Sequence, residues 1–131
     1  MKLLDAETLI AAVKGRLPVV MRLSALKPDE VALSMISQVE VEAALRSQPR
    51  INSRHGKLLK ELLATVRVLD FDAACAQQAG TLGAYLHQSG EPLPPMDLLV
   101  AATALAHQAT LVTPRTALFS RVPQLDLQHW T

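Results

Sequence analysis

An α/β fold is what this sequence predicts: one domain over residues 1–131, with a short, mainly parallel central sheet of four to five strands surrounded by helices. Three observations predict it. Short apolar runs alternate with longer segments of helical periodicity along the whole chain, the pattern of strands joined by helical crossovers. Those runs are continuously apolar, as strands covered on both faces are. Half of the 131 residues are hydrophobic, yet only one Trp, one Tyr and two Phe are aromatic. A composition rich in Leu, Val and Ala favours helices packed on a small sheet over an all-β sandwich. No repeat, linker or low-complexity segment divides the chain.

Each element follows from local residues. Residues 2–4 are a short strand ending at Asp5, and Glu7 to Lys14 read as a helix stopped by Gly15. Pro18 opens a second helix, which Lys27-Pro28-Asp29 ends. Val31 to Ser34 is the second strand. Ser37 begins a helix that ends before Pro49, and residues 51–64 make another with Leu58, Leu59, Leu62 and Leu63 on one side. Val66 to Leu69 is strand three. Asp72 caps a long helix to about Ser89, with Gly90 as its stop. Pro94-Pro95 opens a helix through Leu105. Thr110 to Thr113 is strand four, and Leu125 to Leu127 is a candidate fifth.

The bulk numbers exclude several classes. Thirteen basic residues against twelve acidic give a net charge of +1, too little for the whole surface to capture nucleic acid, though a local patch still could. Cys75 is the single cysteine, so there is no disulfide framework and no thiolate metal site. In an Ala-rich helical run it reads as a small core residue. There is no secretory signal pattern and no apolar stretch of spanning length, so a cytoplasmic, soluble protein without membrane contact is expected.

Three acids carry the chemistry. Asp5 ends the first strand, Glu40 lies early in a helix, and Asp97 follows two prolines at a helix start. Gathering carboxylates is costly because like charges repel, and a fold that gathers them usually holds a hard cation on oxygen ligands. In open α/β sheets the ligand crevice lies beyond the carboxyl ends of the strands, where Asp5, Thr113 and Asp97 can all converge. Each has a plainer reading. Asp5 suits a strand-terminal turn, Ser37-Gln38-Val39-Glu40 is a literal capping box, and Asp97 is favoured by the helix dipole. Thr113 either binds a carboxylate or phosphate or simply ends a strand. Glu42 lies about 200° round the helix from Glu40, so only one of them can face the site. His55, His87, His107 and His129 show no metal spacing. Arg46, Arg50, Arg54, Lys57 and Lys60 form one basic stretch, either a solvated face or a contact for an RNA backbone.

The order of elements and these motifs resemble the PIN-domain family, specifically its VapC-type toxin ribonucleases, over essentially the whole chain. Leu3-Leu4-Asp5 is similar to the family's first motif. Ser34 to Glu42 resembles the second, a Ser-x-hydrophobic-Thr segment leading to Glu. Pro95 to Ala102 resembles the third, an Asp opening a helix that runs on through apolar residues and alanines. Ala109 to Thr113, Phe119 to Leu125 and Trp130 resemble the C-terminal signature. Two positions depart from the pattern. Ala6-Glu7 replace the Thr/Ser-Asn that usually follows the first Asp, and Arg115 stands where an Asp or Asn is usual.

The resemblance implies a metal-dependent endoribonuclease, the toxin of a type II toxin–antitoxin pair. In it Asp5, Asp97 and Glu40 serve Mg²⁺ or Mn²⁺, Thr113 joins them in the catalytic set, and a metal-activated water is the nucleophile. It implies structured RNA of the tRNA or rRNA class as substrate, a VapB-like antitoxin as partner, and a homodimer. Glu7 and Arg115 are possible modulators of that site. The alternative is a catalytically impaired PIN-fold protein acting as an antitoxin- or RNA-binding module, with Arg115 lying in the pocket as an antitoxin arginine would. A DNA-acting nuclease of the same fold is a third reading.

Overall fold

The sheet is built from five strands, β1 (Lys2–Leu4), β2 (Val31–Ser34), β3 (Arg67–Leu69), β4 (Thr110–Val112) and β5 (Asp126–Gln128), in a computed structural model that describes residues 1–131. Their order is β3-β2-β1-β4-β5, and every pair is parallel. Seven helices join them: α1 (Ala6–Val13), α2 (Leu17–Ser24), α3 (Met35–Ser47), α4 (Pro49–Thr65), α5 (Ala73–Gln88), α6 (Pro95–Ala106) and α7 (Thr116–Phe119). The expected fold class is therefore present, with all five strands parallel. A 3-10 turn at Pro28–Glu30 and the short α7 are additions that periodicity could not reveal, since neither is long enough to carry a repeat.

Successive strand residues point to opposite faces, and the core divides accordingly. Leu4, Leu33 and Val112 pack with Leu9, Val41 and Leu59 under α1 to α4, and Trp130 closes that cluster. Leu3, Ala32 and Leu111 pack with Leu82, Leu86, Val100 and Phe119 under α5 to α7. Burying each of these leucines contributes about 1.5–3 kcal/mol. The row of four leucines on α4 is less uniform than expected. Leu59 is fully buried, whereas Leu58 is half exposed on the outer side.

This strand order positions the site. The chain leaves β1 toward β2 on one side and returns from the far face as β4 on the other. The carboxyl ends of β1 and β4 are thus neighbours at the point where strand order reverses, which is where ligand crevices form in open parallel sheets.

Candidate active site

Asp5 is the first residue beyond β1. Its N–H extends the sheet by bonding Val112 O at 3.0 Å. Its Oδ1 accepts the Thr8 N–H at 2.8 Å and so caps α1. Thr8 Oγ1 in turn donates to Val112 O at 3.2 Å. These bonds fix the carboxylate while leaving its other oxygen, Oδ2, buried with no hydrogen-bond partner. A buried carboxylate oxygen in that condition costs free energy unless something positive or hydrogen-bonding reaches it.

Asp97 enters from α6, where Pro95 in the first turn fixes the start of the helix. Its side chain is 9% exposed and its partner is Arg115. Arg115 Nη2 donates to Asp97 Oδ1 at 2.7 Å and Nη1 to Oδ2 at 3.2 Å, a bidentate pair. Arg115 Nε lies 3.1 Å from Glu7 Oε1, an attraction of charges at an angle that makes no hydrogen bond. The guanidinium also sits 5.6 Å from the centre of the Phe119 ring, within cation–π range. Thr113, fully buried, accepts the Arg115 N–H on Oγ1 at 3.1 Å. It thereby sets the turn that brings the arginine back over the acids. The hydrogen bonds to Asp97 raise the guanidinium further above its ordinary value.

Glu40 does not cap its helix. α3 begins two residues earlier than expected, and Ser34 Oγ accepts the Ser37 N–H at 2.9 Å. Ser37 is therefore the third helical residue and Glu40 lies in the second turn, too far along to reach the free N–H groups of the first. The Ser-x-x-Glu pattern misled because Ser34, at the end of β2, was already in place to cap. Burial pushes the Glu40 carboxyl up, and the Asp97 charge adds to it; Arg115 opposes, while Asp5 and Glu7 add smaller repulsions. Those causes put Glu40 within the field of the other acids. Glu42 points elsewhere and pairs with Arg46 one turn on.

Asp5, Glu7, Glu40 and Asp97 thus gather around one guanidinium. No three acid, His or Cys side chains stand together as the ligands of an ion, because Arg115 takes both oxygens of Asp97. The donor chemistry nevertheless fits a hard divalent cation. Every candidate ligand is a carboxylate oxygen, Asp5 Oδ2 is uncommitted, and Asp97 becomes available once Arg115 turns away. The residues that sequence reasoning missed are Thr8, Ser34 and Phe119, whose roles arise from contacts between elements. Cys75 is buried as expected, with Sγ 3.7 Å from Asp70 O. No helix is long and apolar enough to cross a membrane.

Known proteins share this arrangement. A model of the PIN domain matches residues 2–124. Ribonuclease VapC2 of Rickettsia felis is 33% identical over 104 residues, 79% of this chain and 77% of its own. The tRNA(fMet)-specific endonuclease VapC of Shigella flexneri is 28% identical over 130 residues, 98% of this chain and 97% of its own. The crystal structure of VapBC2 from Rickettsia felis, bound to a DNA fragment from its promoter, superposes with a TM-score of 0.87 at 28% identity. That superposition covers 99% of this chain and 98% of the other. With the parallel five-stranded sheet and the acids at its carboxyl edge, these similarities establish that the chain belongs to the PIN domain family, among its VapC-type members.

Proposed function

We propose that this chain is a metal-dependent endoribonuclease, the toxin of a VapBC-like toxin–antitoxin pair, that hydrolyses phosphodiester bonds in RNA of the tRNA or rRNA class. One observation carries the reading: Asp5, with a buried uncommitted oxygen, Asp97 and Glu40 are brought together at the switch point of the sheet. Asp5 and Asp97 would hold Mg²⁺ or Mn²⁺, with Glu40 helping directly or through water. The bound ion supplies an activated water and neutralises charge developing on the phosphate. Thr8 and Val112 keep Asp5 from rotating, and Thr113 fixes the turn from which Arg115 acts. No serine, cysteine or histidine nucleophile is required.

The partner reading rests on exposed apolar surface. Leu17, Val20 and Met21 of α2 and Leu58 of α4 are exposed, beside a groove of about 230 Å³ lined by Val13, Leu23 and Leu62 among others. An amphipathic antitoxin segment would seat there. Met35 and Val39, one turn apart on α3, and Met96 at the start of α6 are also exposed. They offer an apolar surface to a second copy, in keeping with a homodimer.

Cleavage of a total tRNA and rRNA pool with Mg²⁺ or Mn²⁺ tests the reading, with EDTA and Asp97→Asn as controls. Discrete cuts that vanish in both controls support it. A silent protein favours the second reading, a binding module, for which the specific observation is the Arg115–Asp97 pair. Arg115→Asn then separates two cases. Cutting gained by the variant means that an internal arginine holds the site closed, and continued silence means that catalysis is absent.

A further inference from the structure

A cleft of about 380 Å³ opens beside the acidic centre and shares residues with it. Glu7, which faces Arg115, and Pro114, between Thr113 and Arg115, both line it. The rest of its wall is of opposite character. Lys14 and Arg16 enter from the turn between α1 and α2, and Gln48 and Ile51 from the junction of α3 and α4.

The turn is built to place the two cations. α1 ends at Lys14, and Gly15 takes a left-handed φ of +78° that only glycine adopts without strain. The Arg16 N–H then closes back on Ala11 O at 3.1 Å. Lys14 and Arg16 are thereby held on one cleft, both exposed, and neither has a carboxylate within ion-pair distance. Gln48 makes no capping bond with its side chain, so its amide is free to donate. Beyond Gln48 the positive surface continues. Arg50, Arg54 and Lys57 recur about one turn apart on the exposed side of α4, whose one acid is Glu61.

We propose that the cleft formed by Lys14, Arg16 and Gln48 binds a backbone phosphate of the RNA next to the one that is cut, with the chain running on along α4. This rests on the ribonuclease reading and extends it. Repulsion from four carboxylates opposes approach of a polyanion to the acidic centre, so a substrate needs cations beside that centre. Lys14 and Arg16 are the unpaired ones that share its wall. The lining holds no aromatic residue, so bases find nothing to stack on there. The subsite therefore contributes affinity and register without reading sequence.

Anisotropy of a labelled single-stranded RNA, measured in EDTA so that nothing is cut, tests this on the full chain at several salt concentrations. Lys14→Ser with Arg16→Ser is expected to weaken binding roughly tenfold. It should also reduce the slope of log K against log salt by about 1.4, since each phosphate contact contributes about 0.7 on a single strand. Arg67→Ser, which removes an exposed cation at the sheet edge, should bind as wild type. If the double variant has a lowered Tm, Lys14→Gln and Arg16→Gln singly should each show about half the change in slope. An unchanged slope in the double variant overturns the subsite. Cleavage of the same RNA with Mn²⁺ separates the two readings. Wild type that cuts while the double variant binds and cuts equally well refutes the subsite alone. Wild type that neither binds nor cuts refutes both.

Discussion

Asp5 caps α1 and Asp72 caps α5 with the same bond, a carboxylate oxygen accepting the N–H three residues on, at 2.8 Å from Thr8 and 3.0 Å from Cys75. Both have extended backbone and both stand between a strand and a helix. Asp5 follows β1, in the middle of the sheet, whereas Asp72 follows β3, at its edge. Asp5 is consequently buried, with one oxygen unmet and other acids around it, while Asp72 is solvent-exposed. The Cys75 N–H holds the Asp72 carboxyl below its ordinary value, as expected of a cap with no rival charges. One local device therefore serves two purposes, and strand order decides which.

The comparison breaks most visibly on activity. Serine caps helices as well as aspartate does, so Asp5→Ser keeps the cap and removes the charge. RNA cutting should fall by on the order of a hundredfold or more, the scale on which a group that stabilises developing charge acts, with Tm little changed. Asp72→Ser should leave the cutting rate within about twofold, the scale of error in such assays rather than of a lost catalytic group. Equal loss in both variants would mean that capping, not charge, matters at Asp5.

Arg115→Ala sharpens the contrast next, because only the central site has an internal cation. In EDTA it should lower stability by about 1–2 kcal/mol. That is less than the cost of breaking a fully buried pair, because Arg115 is 37% exposed and solvent screens it. Added Mn²⁺ should then raise the Tm of the variant more than that of wild type, as read by thermal unfolding. An equal rise would show that Arg115 does not compete with the ion for Asp97.

Thr113→Val should cost about 1 kcal/mol through the lost acceptor for the Arg115 N–H, and denaturant unfolding would measure it. The smallest effect is at Asp72. A carboxyl whose folded pKa lies below its unfolded one contributes stability above the unfolded pKa, here 3.8, and loses it as pH falls through the folded value. Asp72→Asn, which keeps the cap, should therefore be slightly less stable than wild type near neutrality and equal to it in acid. A difference that persists at the lowest pH would point to the cap geometry instead.

Much of the fold was legible because strands and helices announce themselves by period. The runs at Leu3-Leu4 and Val31 to Leu33, and the stops at Gly15 and Gly90, needed no tertiary information. The three acids were legible as types at motif positions. Their surroundings were not, since the open oxygen of Asp5 depends on Val112 and Thr8, and the grip of Arg115 depends on Asp97, eighteen residues away. The start of α3 was misread because two serines three apart, Ser34 and Ser37, both suit a cap. Only the end of β2 decides between them.

β1 pairs with none of its neighbours in the sequence. Its partners are β2 and β4, and Asp5 is oriented through Val112, more than a hundred residues later. Closing so long a loop is slow, and the non-local contacts that reward it form late. A nascent chain has its first acid almost at once but cannot aim it until β4 has been made and docked. The reactive edge is thus among the last parts to assemble, and a truncated copy ending before β4 would carry Asp5, Glu40 and Asp97 without a site.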